Sequence, residues 1–171
     1  MNKIRIRQVT MADLDTVTKI EAICFPATEK ASKDSFKQRI STFPRGFWLA
    51  ELNNEIIGFI NGAASNKTTI EDEFFSDMSL HCDNGENIAI FGLDVLPQYQ
   101  RNGYAAQLIK HYIKIAKEDN RKKVLLTCKK HLVHYYTKFG FNNCGVSQSV
   151  HGGAQWFDME LNLVSLTNSS V

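Results

Sequence analysis

Along the 171-residue chain the spacing of apolar residues changes period several times, and each change predicts a new element. Lys3 to Val9 alternates Ile with charged residues, the pattern of a strand with one buried face. Thr10 followed by Asp13 resembles a capping box, and Leu14, Val17, Ile20, Ile23 and Cys24 then recur at helical spacing until Pro26. Ser32 to Phe43 reads as a second short helix with Phe36, Ile40 and Phe43 on one side. Gly46 to Leu52 and Ile56 to Ala63 read as strands joined through Asn53-Asn54, a pair that tolerates the positive φ of a tight hairpin. Residues 65–86 are polar and acidic, with a short helix expected over Phe74 to Leu80. Asn87 to Leu96 is almost continuously apolar, as in a strand buried on both faces, and Gly92 within it marks a bulge or a close backbone approach.

From Gly103 onward Ala105, Leu108, Ile109, Tyr112, Ile113 and Ala116 form a helical stripe. Val124 to Cys128 is another buried strand, and Leu132, Tyr135, Tyr136 and Phe139 mark a helix ended by Gly140. Phe141 to Val150 and Gln155 to Leu163 complete the set as strands, with 164–171 expected as a loose tail. The order β-α-α-β-β-β-α-β-α-β-β makes residues 1–163 one α/β (α+β) domain, a mixed sheet covered by helices.

Composition agrees with a single packed core: 43% of residues are hydrophobic, 11% aromatic and 22% charged, which argues against disorder. No run of eighteen apolar residues occurs, and the first residues lack the apolar stretch of a secretion signal, so a cytoplasmic address without membrane partners is expected. Cys24, Cys82, Cys128 and Cys144 form no C-x-x-C pair and are read as reduced thiols. His131 and His134, three apart on a helix, lack a third ligand at metal spacing and are read as a surface pair; His81 and His151 are read as loop residues.

The net charge of +2 conceals a segregation. Residues 68–100 carry seven acids and no Lys or Arg, whereas residues 101–130 carry nine bases against two acids. Either solvated faces or two different ligands explain that split.

The stretch from Leu93 to Ala106 carries the chemistry. A buried strand stops at Pro97, a short loop follows, and a helix starts near Gly103. The open N–H groups and positive dipole of a helix start favour an anion there, with Arg101 adding charge. No G-K-[ST] ends the loop, which excludes a Walker phosphate loop, and no G-x-G-x-x-G is present. On these residues alone an ordinary β–α turn stays open beside the anion site.

Gln100-Arg101-Asn102-Gly103-Tyr104-Ala105 resembles the Q/R-x-x-G-x-G/A signature of the GCN5-related N-acetyltransferases, and Tyr136 to Phe141 is similar to their Y-x-x-x-G-F segment. The resemblance covers residues 3–163. Within the family, Ile20-Glu21 to Phe25, the acidic segment, Tyr135 to Phe141 and Phe157-Asp158-Met159-Glu160 look most like the serotonin (arylalkylamine) branch.

The resemblance implies a mostly antiparallel sheet of about seven strands with about four helices. It also implies acetyl-CoA as co-substrate; with no ligand set at metal spacing and no basic stripe interleaved with aromatics, neither a metal nor a nucleic-acid partner is expected. Backbone groups of Leu93, Asp94 and Val95 would hold the pantetheine arm and acetyl carbonyl. The N–H groups of Gln100, Arg101, Asn102, Gly103, Tyr104, Ala105 and Ala106 would hold the pyrophosphate. Tyr136 takes the general acid's position. Lys122-Lys123 and Lys129-Lys130 fit solvation or the CoA 3′-phosphate, and a homodimer is compatible with the family.

The chain departs from the pattern at the base. The branch's two strand histidines fall here on Ala89 and Phe91, and Lys129 replaces a common Asn. Asp94, out of phase with 89, 91 and 93, is expected to face away, leaving Glu86 or Glu21 acting through water. The expected acceptor is a small primary amine, arylalkyl or polyamine-like, approached past the acidic segment. The alternatives are a protein N-terminus or lysine, and, in another class, a non-catalytic acyl-CoA-binding regulatory module.

Overall fold

The structure is a computed structural model that describes residues 3–164; the expected tail lies, beyond Val164, outside the described residues. Eleven elements follow in the expected order: β1 (Arg5–Gln8), α1 (Leu14–Cys24), α2 (Lys33–Thr42), β2 (Phe47–Leu52), β3 (Glu55–Ser65), β4 (Asn87–Val95), α3 (Tyr104–Glu118), β5 (Lys123–Cys128), α4 (Val133–Thr137), β6 (Asn142–Val146) and β7 (Phe157–Asn162). The seven strands form one sheet in the order β1-β2-β3-β4-β5-β7-β6. Among the described residues only β4 and β5 run parallel.

Local chemistry sets the element boundaries. The Asp13 carboxylate accepts the Thr10 N–H at 2.8 Å and two bonds from the Arg7 guanidinium at 2.9 Å, so a short 3-10 turn leads into α1. Ser32 Oγ accepts the Ser35 N–H at 3.1 Å and caps α2. Asn53 and Asn54 take φ of 52° and 65°, the twist that joins β2 to β3 in a two-residue hairpin.

Core residues pack on both faces of the sheet. Phe36 of α2 meets Phe59 edge-on at 5.6 Å and Phe47 at 5.9 Å, all three fully buried beneath α1 and α2. On the other face α3 buries Leu108, Ile109 and Tyr112, whose hydroxyl donates to the Gly46 carbonyl at 3.0 Å.

Three elements differ from the pattern reading. Over 74–80 there is no α-helix but two 3-10 turns, Asp72–Phe75 and Met78–Leu80, because the Asp77 side chain takes the Ser79 N–H at 3.0 Å and breaks the helical ladder. The strand after Phe141 stops at Val146: Gly145 has φ of +100° and the β6–β7 register slips between Asn143 and Val146. The helix around Tyr136 is short, beginning as a 3-10 turn over Lys130–Leu132.

Two irregularities create the site. β4 pairs with β5 only through Asn87–Ala89 against Lys123–Leu125, after which the strands part. On its other edge β4 bulges at Phe91, since Asn61 faces Gly92 and Gly62 faces Ile90. The acidic and basic segments also meet at the β4–β5 joint. Lys122 Nζ lies 2.9 Å from Glu86, and the Arg121 guanidinium donates to the Asp83 and Gly85 carbonyls at 2.8 and 2.6 Å. Part of the charge segregation is therefore neutralised within the fold.

Candidate active site

Where β4 and β5 separate there is a cavity of about 370 Å³. Ile90 to Leu93 of β4, Leu126 to Cys128 of β5 and Tyr136 of α4 form one side. Glu21, Phe25 and Arg39 from the α1–α2 side, Asp72 and Phe75 from the acidic segment, and His151 and Trp156 from the β6–β7 loop form the rest.

The free edge of β4 is polar. The Leu96 N–H bonds to the Ile57 carbonyl across β3 at 2.9 Å, so by antiparallel alternation the backbone groups of Asp94 also face β3. Those of Leu93 and Val95 face the opening. The Val95 carbonyl already accepts Gln100 Nε2 at 3.0 Å and the Cys24 thiol at 3.4 Å, and burial has pushed that thiol up to about 12, so it keeps its proton. Leu93 and the Val95 N–H remain unpaired by this alternation.

The loop after β4 spends the Gln100 N–H on the Pro97 carbonyl at 3.3 Å, which corrects the expectation that this amide is free for a pyrophosphate, and holds its later amides outward. Asn102 Nδ2 donates to the Tyr99 and Gln100 carbonyls at 3.0 and 3.1 Å, and Arg101 and Gly103 take φ of +66° and +80°. The Gln107 N–H bonds to the Gly103 carbonyl at 3.1 Å, so the amides of Tyr104, Ala105 and Ala106 lie in the first turn of α3, ahead of that bond. A Cβ built on Gly103 meets nothing within 4 Å, leaving that surface open.

Tyr136 lines the cavity with its ring packed edge-on against Tyr135 and Phe141, at 5.3 and 6.0 Å. Burial, helped by neighbouring Cys128, Tyr135 and Asp94, raises its phenol well above the ordinary value near 10. The group thus holds its proton and can donate it. Ala89 is sealed in the core, and Phe91 lies under the Arg39 guanidinium at 4.7 Å, so neither supplies a base.

A buried polar cluster adjoins the cavity. Arg39 donates to Asn61 Oδ1 at 2.9 Å and to the Phe75 carbonyl at 2.6 Å, and burial pulls its guanidinium down to about 10. Glu21 Oε2 accepts the Ala31 N–H at 2.8 Å while Oε1 has no partner among the described residues. Both Asp94 oxygens are likewise buried without a partner.

The expectation that Asp94 faces away from Phe91 is corrected. A Cβ on Gly92 would lie 3.5 Å from Asp94 Oδ1, and Asp94 acts on Arg39, the residue that covers Phe91. The bulge at Phe91 resets the alternation on which that expectation rested.

Burial, reinforced by the charge of Glu21, holds the Asp94 carboxyl well above the usual carboxylate range, against the pull of Arg39. The folded state therefore keeps a proton that the unfolded chain has released, and stability falls as pH rises from the ordinary Asp value toward the folded one. Within that window the slope is about 1.4 kcal/mol per pH unit. Asp94→Asn should abolish this decline, read as urea midpoints at pH 5 and pH 7.5; an unchanged difference between the two would refute the assignment.

Of the acidic run only Asp72 reaches the cavity, where it accepts the Val150 N–H at 3.1 Å and the Ser149 hydroxyl. Glu71 pairs with Lys67 at 2.7 Å, Asp83 with His81 at 2.6 Å, and Glu86 with Lys122. The other cavity acids, Glu21 and Glu29, come from α1 and the segment after it. Trp156 and Arg39 escaped the sequence reading, which placed His151 in a loop, where it lies, without giving it a role. For Arg39 the signal existed, because a charge at the third position after Phe36 falls on the apolar stripe of α2.

His131 and His134 are exposed, the four cysteines are free thiols, and among the described residues no helix is long and apolar enough to cross a membrane.

A model of the acetyltransferase (GNAT) family matches residues 14–141. The probable hydrolase YhcX of Bacillus subtilis (strain 168) is 24% identical over 131 residues, which are 72% of this chain and 26% of that protein. The chain thus spans about a quarter of the length of this curated relative. Among solved structures, the GphF GNAT-like decarboxylase in complex with isobutyryl-CoA superposes with a TM-score of 0.82 at 19% identity, covering 94% of this chain and 100% of that one. The loading GNATL domain of CurA from Lyngbya majuscula gives 0.81 at 14% identity, covering 94% and 98%. At these identities the two structures establish the fold.

Proposed function

Because the chain belongs to the acetyltransferase (GNAT) family, we propose that it moves an acetyl group from acetyl-CoA to a small primary amine, arylalkyl or polyamine-like. The observation that carries the reading is the meeting, where β4 and β5 part, of an unpaired strand edge, a cavity of about 370 Å³ and a protonated phenol. Leu93 and Val95 offer backbone groups to the amides of the pantetheine arm, while Asp94 turns its own toward β3. The outward amides from Arg101 to Ala106 suit the pyrophosphate.

The acceptor nitrogen attacks the thioester carbonyl directly, with no enzyme nucleophile. As the tetrahedral adduct collapses, Tyr136 donates to the departing sulfur. A phenol raised this far gives its proton uphill to a thiol of ordinary value near ~8.5, so a strong hydrogen bond to the developing thiolate carries much of the effect.

A small acceptor is favoured over a peptide by the loop that crosses one side of the cavity. The β6–β7 loop is tied through Ser149 and Val150 to Asp72, and through His151 to the Glu29 carbonyl at 2.8 Å, which leaves less room there for an extended peptide than for a small amine.

Thiol release from acetyl-CoA, measured with arylalkylamines, polyamines, an N-terminal peptide and a lysine peptide, should be fastest with the small amines. Faster turnover of a peptide would transfer the reading to protein acetylation. Tight CoA binding without amine-dependent release from any of them would leave a non-catalytic acyl-CoA-binding module.

A further inference from the structure

We propose that His151 is the proton acceptor for the attacking amine, an assignment that rests on the amine-transfer reading above. The strand positions where the family resemblance places a base hold Ala89 and Phe91, so neither of them can take the ammonium proton directly. His151 sits on a different element, the β6–β7 loop, and lines the same cavity as Tyr136.

Its ring is fixed on several sides. Phe75 stacks on it at 5.5 Å with planes 20° apart, and Trp156 lies at 6.1 Å while its indole N–H donates to the His151 carbonyl at 2.8 Å. Gly152 follows with φ of +64°, and a Cβ there would lie 2.7 Å from Glu29 Cγ, so the turn presses directly on the α1–α2 segment.

The tautomer follows from one bond. Nε2 lies 2.8 Å from the Glu29 carbonyl, which can only accept, so Nε2 carries the hydrogen and Nδ1 keeps its lone pair. Nδ1 has no hydrogen-bond partner among the described residues and is not sealed from solvent. A preorganised imidazole with an open lone pair is the equipment of a general base.

The surrounding charges leave this role intact. Glu29 is neutralised by Lys129 at 2.8 Å, Asp72 is held by Ser149 and Val150, and Glu21 and Arg39 stand together across the cavity. The proton balance closes. The N–C bond forms as His151 Nδ1 takes the nitrogen's proton, the C–S bond breaks as Tyr136 donates to sulfur, and solvent returns both side chains to their starting state.

The test is thiol release at saturating amine in wild type, His151→Gln and His151→Ala, with CoA affinity and urea midpoint measured alongside. Glutamine can still donate to the Glu29 carbonyl but takes no proton. The Gln variant should lose about 10²-fold in kcat, together with the acid-side limb of its pH profile, at unchanged CoA affinity. Added imidazole should restore the Ala variant. A Gln variant within threefold of wild type, with the same pH profile, overturns the base assignment and leaves amine transfer standing. A wild type that binds CoA yet acetylates no amine overturns the functional reading and the base with it.

Discussion

Tyr136→Phe should lower kcat by about 10²-fold or more while leaving CoA affinity and stability within error. The substitution removes one oxygen. The ring keeps its edge-on packing against Tyr135 at 5.3 Å and Phe141 at 6.0 Å, so neither the cavity nor α4 has reason to shift. What disappears is the donation toward the departing sulfur that the proposed mechanism assigns to α4. Since burial raises the phenol, wild type should show no loss of activity from its deprotonation up to the ordinary tyrosine value near ~10. Steady-state rates across pH check both statements, with calorimetry for CoA. A variant retaining a third of the wild-type kcat would remove Tyr136 from the reaction.

Gly62→Ala should be among the most destabilising single-methyl changes available to this chain. Gly62 faces Ile90 beside the β4 bulge, and a Cβ there would fall inside the contact radius of the Ala89 carbonyl and 2.7 Å from the Tyr112 hydroxyl. Neither obstacle can yield cheaply. Ala89 is locked by its register with Leu125, and Tyr112 is fully buried with its hydroxyl held by Gly46. A loss of roughly 3 kcal/mol or more is expected, at the severe end of overpacking and a large share of a domain's stability. At Gly103 an added methyl meets no atom within 4 Å, so only the positive φ is penalised there, by roughly 1–2 kcal/mol. Urea denaturation of both variants provides the comparison; a Gly62→Ala loss no larger than that at Gly103 would contradict the packing argument.

The order of all eleven elements was legible because each long element buries one face, and burial writes its period into the residues. α3 illustrates the strong case, with Leu108, Ile109, Tyr112 and Ala116 on one stripe and all buried. Short segments resist the same reading. Around Asp77 a single side-chain bond to Ser79 outweighs apolar spacing, and the outcome is two 3-10 turns.

Within the site, the loop from Gln100 to Ala106 was visible as a local motif because its conformation depends on neighbours in the chain. The opposite wall was not. Arg39, His151 and Trp156 lie on elements scattered along the sequence, and only tertiary packing brings them together. Asp94 shows a subtler failure. Gly92 announced an irregularity, yet a glycine does not reveal which neighbour becomes the unpaired residue, and that choice decides the facing of everything after it.

The brevity of the β4–β5 ladder has a mechanical meaning. Eight residue pairs join β3 to β4, but only three join β4 to β5, so the sheet is two plates joined at a narrow seam, with the β6–β7 loop tied across to Asp72 and the Glu29 carbonyl. One plate carries α1, α2 and the motif loop; the other carries β6, β7 and the turn bearing His151. Bending at the seam disturbs few backbone bonds, and it changes the gap between the plates, the cavity that Tyr136 and His151 line. A molecule bridging the gap acts as a strut, and amides on either side of the seam, Ile88 and Val124 among them, should exchange with solvent more slowly once it is in place.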